Sequence, residues 1–441
     1  MPDATFHFPR GFRWGTATSS HQVEGNNTNN QWSRWEADGH TDGMSGLACD
    51  WWNGRWREDF DRAMEAGQSA HRLSVEWSRI QPAPDRWDED ALERYRNMLR
   101  GLKDRRMTPM VTLHHFTDPL WLTQREAWES ENVAELFEKF VRKTVDALKE
   151  YCTLWCTINE PNIYSVIGFV YGSFPPGAHD VNRATLVQAN MLKGHARAYH
   201  AIHEIQADAR VGYALAYRPF TAKRAWSPLD VWSRTVADRA LNRAFPSAIS
   251  TGTMQAAIGS VPVPEARNTQ DFLGINYYTS QQVAFSLTSP RSLFATAGFP
   301  SGADMSPNNF IANKPEGFYQ TLKWAVRTYP GTPIFVTENG VEDAADGMRP
   351  RYLAQHIHQM WRAVNFNWPI EGYFHWSLVD NFEWERGWSQ RFGLWALDVE
   401  TQRRTKRRSA DLYAEICREN GLSSAMVRKY CPEVFDKLFP V

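Results

Sequence analysis

Cysteine is scarce in this chain: five in 441 residues, an odd number with no CxxC pair. Such sparse thiols suit a reducing, cytoplasmic setting and argue against a disulfide framework. Cys152 and Cys156 share a strand-like stretch, 151–158, with no His pair beside them, so both read as structural rather than metal-binding. Long apolar runs are missing too. No stretch of about 18 apolar residues is present to cross a bilayer. Residues 1–10 lack the basic segment and apolar run of a secretory leader. Net charge is almost absent: 49 basic against 50 acidic side chains leave −1, which speaks against nucleic acid or an anionic membrane as a partner. In so neutral a protein the basic run Arg403-Arg404-Thr405-Lys406-Arg407-Arg408 reads as a solvated helix entrance. No low-complexity linker divides the chain, and no glycine-rich phosphate loop follows its first strand-like segment.

Tryptophan, by contrast, is plentiful, with twenty residues. Its faces stack well on the C–H faces of sugar rings, although any single Trp is more often a core filler. Helical and strand-like patterns alternate from end to end. Residues 132–151 form a clear helical stretch in which Val133, Leu136, Phe137, Phe140, Val141, Val145 and Leu148 recur at three and four, with Asn132 placed to cap it. Residues 88–106 and 319–329 repeat the pattern, each leading into a short apolar run. Eight such runs fall at 12–17, 70–74, 109–113, 153–158, 210–216, 272–276, 333–337 and 372–376. Eight βα units predict an α/β fold, a single (β/α)₈ barrel filling 1–441. The polar stretches 26–56 and 279–314 are long for a compact domain and read as extended loops on its catalytic face.

In such a barrel, chemistry gathers at the C-terminal strand ends. Reading those ends gives Gln22 and Glu24, Arg72, His115, Asn159 with Glu160, Asn276 with Tyr278, Glu338, and Trp376. Thr157-Ile158-Asn159-Glu160-Pro161 and Val336-Thr337-Glu338-Asn339-Gly340 each deliver a glutamate from a buried strand into a turn. Two carboxylates brought together this way are what cleavage of a glycosidic bond requires. A metal reading of His115 would recruit His114 and Asp118. Adjacent strand residues point to opposite faces, so the two histidines do not easily line one site. No other set of residues suggests a metal, nucleotide or flavin, and no cofactor is expected.

These motifs resemble, in order and from about residue 8 to 420, the family 1 glycoside hydrolases. The supporting segments are Phe12 to Gly25, Arg72 to Ile80, Leu113-His114-His115-Phe116, Gly274-Ile275-Asn276-Tyr277-Tyr278, and Trp376 to Trp384. The resemblance implies that Glu338 is a nucleophile and Glu160 a general acid and base, with carboxyl groups about 5–5.5 Å apart as retention requires. It implies a raised pKa at Glu160, an ionised Glu338 beside Arg72 and Tyr278, and Asn276 in support. Asn159 would bind the sugar 2-hydroxyl. Gln22, His115, Glu383 and Trp384 would clamp the 3-, 4- and 6-hydroxyls, Trp376 would floor the ring, and Phe392 would join the sugar site. Glu383 would repel a 6-phosphate, which favours a neutral sugar, glucose first, with galactose and fucose behind.

The family commonly has Trp after Asn-Glu-Pro, where this chain has Asn162, and often a Trp before Pro315-Glu316-Gly317, where this chain has none. Both departures concern the leaving-group side. The extension 421–441 carries scattered apolar residues and is expected to pack on the barrel or at a subunit interface; the oligomeric state is not legible. The expected partner is a small β-glycoside or oligosaccharide. Transglycosylation through the same intermediate remains an alternative, and a non-catalytic sugar-binding relative would usually lack one of the two glutamates.

Overall fold

The computed structural model describes residues 4–440. The first three residues of the leader reading and the last residue of the C-terminal extension lie outside these. Eight parallel strands close into a barrel in chain order: β1 (Arg13–Ala17), β2 (Ala70–Ser74), β3 (Thr108–His114), β4 (Leu154–Asn159), β5 (Arg210–Ala216), β6 (Phe272–Asn276), β7 (Ile334–Asn339) and β8 (Ile370–His375). Each overlaps one of the eight apolar runs. The strands are short and buried on both faces, because side chains fill the barrel on one side and helices cover it on the other. Inside, Ala70, Met110, Leu154, Phe272, Phe335 and Phe374 form an apolar plug beneath the catalytic end. Glu371 bridges Arg13 at 3.2 Å and Arg210 at 2.7 Å near the start of the strands.

Helix Val133–Leu148 buries Val133, Phe137, Phe140, Val141, Val145 and Leu148 of the stripe legible in the sequence and leaves Leu136 half-buried. Asn132 does not cap it: its side chain accepts from Ser130 Oγ at 2.7 Å instead. Helix Glu89–Asp104 is capped by Asp88, which accepts the Ala91 N–H at 2.9 Å. Helix Pro315–Thr328 begins four residues before the expected 319, since proline is well suited to a first helical turn.

The two long loops carry more structure than expected. Helix Gln31–Ala37 lies in the first. In the second, Gln281–Phe285 and Ala295–Gly298 pair antiparallel and join Phe220–Ala222 in a small sheet. The basic run is a solvated helix entrance only in part, with Arg403, Lys406 and Arg408 exposed. Arg404 is buried against Asp59 at 3.1 Å, and Arg407 holds Asp380 through contacts of 2.7 and 2.9 Å. Desolvated guanidinium groups persist there because each meets a buried carboxylate. Gly421–Ser423 pairs antiparallel with Thr5–His7, and Phe439 stacks on Phe6 at 4.4 Å.

Candidate active site

Three of the strands that carry the polar groups are irregular at their C-terminal ends. Pairing slips between Cys156 and Asn159 on β4, between Ile275 and Asn276 on β6, and between Val336 and Asn339 on β7. A slip of this kind re-aims the side chains beyond it, and these ends present Asn159, Asn276 and Glu338. Glu160 follows β4 with φ 45° and ψ 55°, a left-handed conformation rare for a side-chain-bearing residue. Its N–H donates to the Ala214 carbonyl at 2.8 Å, which fixes the turn to β5. Beyond Glu338, a Cβ on Gly340 would lie 2.0 Å from the Trp376 carbonyl oxygen, so the turn after β7 needs glycine for close approach.

The two carboxyl groups are joined by one hydrogen-bond network. Arg72 Nη1 donates to Glu338 Oε1 at 2.6 Å and Tyr278 Oη to Glu338 Oε2 at 2.7 Å. The other Arg72 terminal nitrogen donates to Asn159 Oδ1 at 2.6 Å. Asn276 Nδ2 reaches both Asn159 Oδ1, at 3.1 Å, and Glu160 Oε1, at 2.8 Å. Thr337 Oγ1 donates to Asn276 Oδ1 at 2.6 Å and fixes which way that amide faces.

The environments of the pair differ in one decisive respect. Glu338 receives a charged donor and a phenol, both of which favour its anion, whereas Glu160 receives a single neutral amide. Burial pushes the Glu160 carboxyl up to about 8, and the nearby Glu338 charge adds to the rise. Burial also raises Glu338, against the pull of Arg72 and Tyr278. A proton held by the pair therefore sits on Glu160. The arrangement combines a protonated acid with a carboxylate in a nearly dry site, both groups being under a tenth exposed.

Around the pair lie the remaining expected residues. Asn159 Nδ2 lies 3.0 Å from His115 Nε2. Burial, then the charge of Arg72, depresses the His115 pKa well below the usual range. The ring is thus neutral, and accepting at Nε2 leaves its proton on Nδ1, which is buried without a partner. The second hydrogen of Asn159 Nδ2 is a donor left for a ligand. His115 stacks between Trp376 and Trp384, each 6.0 Å away. His114 faces outward to Asp118 at 2.9 Å and to Trp128, so the two histidines do diverge.

Gln22 accepts from Ser19 and spreads its amide over the Phe382 carbonyl at 2.7 Å, Asn381 and Glu383. Burial, then Glu385 and the catalytic pair, raises the Glu383 carboxyl well above its usual range. Phe392 is buried beside Trp376 and meets the Tyr278 ring edge-on at 6.1 Å. Glu24 is turned away: it pairs with Arg79 at 2.8 Å and accepts from Tyr95 at 2.7 Å. Sequence reasoning assigned no group to β5 and so missed Arg218, whose charge acts on Glu160. The signal was present, since Arg218 lies just beyond that strand's end. Among the described residues no group of three or more His, Cys, Asp or Glu side chains could hold a metal ion.

The chain is similar along nearly its whole length to known glycosidases. The model of glycosyl hydrolase family 1 matches residues 4–422. A β-glucosidase A from Thermotoga maritima is 31% identical over 94% of this chain and 98% of its own length. A β-galactosidase from Sulfolobus acidocaldarius is 30% identical over 94% and 96%. Among solved structures, a β-glycosidase from Pyrococcus horikoshii superposes with a TM-score of 0.89 at 33% identity, covering 97% of this chain and 98% of that one.

Proposed function

Since the chain belongs to glycosyl hydrolase family 1 and is a glycosyl hydrolase, we propose that it is a retaining exo-β-glycosidase, a β-glucosidase first of all. The observation that carries this reading is the unequal hydrogen bonding of the two carboxyl groups, charged at Glu338 and neutral at Glu160. Glu338 attacks the anomeric carbon while Glu160 gives its proton to the departing oxygen, which forms a glycosyl ester and a free alcohol. Glu160, now ionised, takes a proton from water. The hydroxide oxygen then displaces Glu338, so two inversions restore the original configuration.

Asn159 holds the 2-hydroxyl through the amide hydrogen left over from His115. His115, Gln22 and Glu383 line the sugar further round the ring and clamp its 3-, 4- and 6-hydroxyls. Trp376 floors the sugar, with Trp384 and Phe392 closing the pocket behind it. A buried acid at Glu383 accepts from neutral hydroxyls and disfavours a phosphate, which supports an unphosphorylated sugar. Galactose and fucose stay within reach, because a carboxyl group can hydrogen-bond an axial or an equatorial hydroxyl. No described helix is long and apolar enough to cross a membrane. Five free thiols support a cytoplasmic setting.

A panel of nitrophenyl glycosides tests the proposal. Cleavage of β-glucoside, with weaker cleavage of β-galactoside and β-fucoside and none of 6-phospho-β-glucoside or α-glucoside, is the expected result. Silence on all five would overturn it. Adding an alcohol acceptor separates hydrolysis from transfer, since a transglycosidase would yield the new glycoside as its main product.

A further inference from the structure

Arginines drawn into this protein bring a carboxylate with them. Arg72, Arg349, Arg404 and Arg407 are buried, and each is ion-paired with an Asp or Glu side chain. Arg218 is different. It is half-buried just beyond β5, and among the described residues its side chain bonds a neutral amide alone, donating to Gln281 Oε1 at 3.1 Å. A cation withdrawn from bulk water without an anion is costly, so the surrounding structure has to hold it in place. Asn242 does so. It accepts the Arg218 N–H at 3.0 Å and donates to the Arg218 carbonyl at 2.7 Å. Asp238 fixes Asn242 in turn, accepting from its amide at 2.9 Å while pairing with Arg243 at 2.8 Å.

The place so held is beside Glu160. The Tyr217 N–H donates to the Asn276 carbonyl at 3.0 Å, and the Asn276 side chain donates to Glu160 Oε1 at 2.8 Å. From the other direction, the Glu160 N–H donates to the Ala214 carbonyl at 2.8 Å. Glu160 and Arg218 thus leave neighbouring strand ends that are tied together at two points, and the guanidinium charge reaches the Glu160 carboxyl. The other charged or titratable groups facing that carboxyl are Glu338 on β7, Arg72 on β2, Tyr278 beyond β6 and Glu383 beyond β8. Arg72 is already engaged by Glu338 and Asn159. Facing Arg218 are Tyr171 and Tyr277, kept neutral by burial, and His179 and Arg291 on the walls of the cavity that it lines.

We propose that Arg218 is a positioning residue for proton transfer, the counter-cation of the Glu160 carboxylate while the glycosyl-enzyme exists. The proposal rests on the glycosidase reading and adds a residue to it. Before the first step Glu160 is neutral and the guanidinium has little to act on. Once its proton has gone to the departing oxygen, Glu160 is an anion in a nearly dry site, and Glu338 is an uncharged ester. Arg218 then stabilises the carboxylate that takes a proton from water.

The test isolates the second step. A 2-deoxy-2-fluoro glycoside with a dinitrophenyl leaving group, carrying the sugar that the nitrophenyl panel selects, traps the glycosyl-enzyme, and mass spectrometry confirms the adduct. Its rate of hydrolysis against pH then reads Glu160 as the base. In Arg218→Met and Arg218→Gln the acid limb of that profile should move up by about one pH unit, because the ionised base has lost its cation. The alkaline limb of kcat/KM should move up as well, whereas its acid limb, set by Glu338, should stay in place. Arg218→Lys keeps the charge and should recover most of each displacement. Two neutral variants are used because either could disturb the loop. A uniform loss of rate with every limb unmoved would overturn this proposal alone, as would equal displacements in the lysine and neutral variants. Failure of the wild-type enzyme to form the adduct would overturn the parent reading and this one together.

Discussion

Arg72 Nη1 lies 2.6 Å from Glu338 Oε1, with both side chains almost completely withdrawn from water. A carboxylate in that setting is stable as an anion only because the guanidinium is there. The contact spans β2 and β7, and it decides which member of the carboxyl pair keeps its charge.

Replacing Arg72 with Met is therefore expected to raise the Glu338 pKa further, because burial then acts unopposed by the nearest cation. The acid limb of the kcat/KM profile should move to higher pH, with a loss of about 10²–10³-fold at pH 6. Tyr278→Phe removes a neutral donor to the same group and should cost less, about tenfold or somewhat more. A steady-state pH series on both variants checks the order; an unmoved acid limb in Arg72→Met would contradict the account.

Glu338→Gly should lower hydrolysis by on the order of 10⁴-fold or more. Azide can then enter the vacated face and displace an activated leaving group, giving a glycosyl azide of inverted configuration. Proton NMR of the product reads the configuration, and a retained azide would remove Glu338 from the nucleophile's role.

Activity should fall as pH rises through about 8, where Glu160 loses its proton, and fall again at low pH as Glu338 gains one. The Glu160→Gln variant has no proton to lose there, so its alkaline limb should vanish. With a dinitrophenyl glycoside its first step should stay near wild type. With a methyl glycoside the loss should reach about 10²–10⁴-fold. Equal losses on the two leaving groups, measured by pre-steady-state kinetics, would argue against the acid's assignment.

Asn159→Ala and removal of the sugar 2-hydroxyl delete two ends of one contact. Each alone should lower kcat/KM. Combined, they should cost clearly less than the product of the separate losses. Fully multiplicative losses in that double cycle would place the 2-hydroxyl elsewhere.

Arg407→Met leaves Asp380 buried with its nearer cation gone and only Arg391, at 4.0 Å, remaining, a change that should destabilise the fold by about 3 kcal/mol. Asp380 also accepts the Gly393 N–H at 2.8 Å, so the segment bearing Glu383 and Trp384 should loosen with it. Urea denaturation with an unchanged midpoint would show that this pair contributes little.

The barrel was legible because each βα unit announces itself locally. Apolar runs of five to seven residues, buried on both faces, have few other places to go than the centre of a parallel sheet. The strand-end rule found Arg72, His115, Asn159, Glu160, Asn276 and Glu338, and the hydrogen-bond network does join these residues. The same rule put Glu24 in the site, although it belongs to Arg79 and Tyr95, and it passed over Arg218. A side chain's direction beyond the last strand residue depends on the turn that follows, and local sequence does not specify that turn. The basic run misled for a related reason. Burial of Arg404 and Arg407 requires Asp59 and Asp380, and Asp59 is hundreds of positions away in the chain.

By itself, then, the sequence determined the eightfold alternation, the carboxyl pair and the polar groups around it, because periodicity and residue chemistry are local properties. Tertiary structure alone decided which carboxyl keeps the proton, since that depends on where Arg72 and Tyr278 donate. It alone decided that two arginines of the basic run are interior and that Glu24 belongs to Arg79 and Tyr95. Each of these turns on distances between residues far apart in the chain, and only the closed barrel fixes those distances.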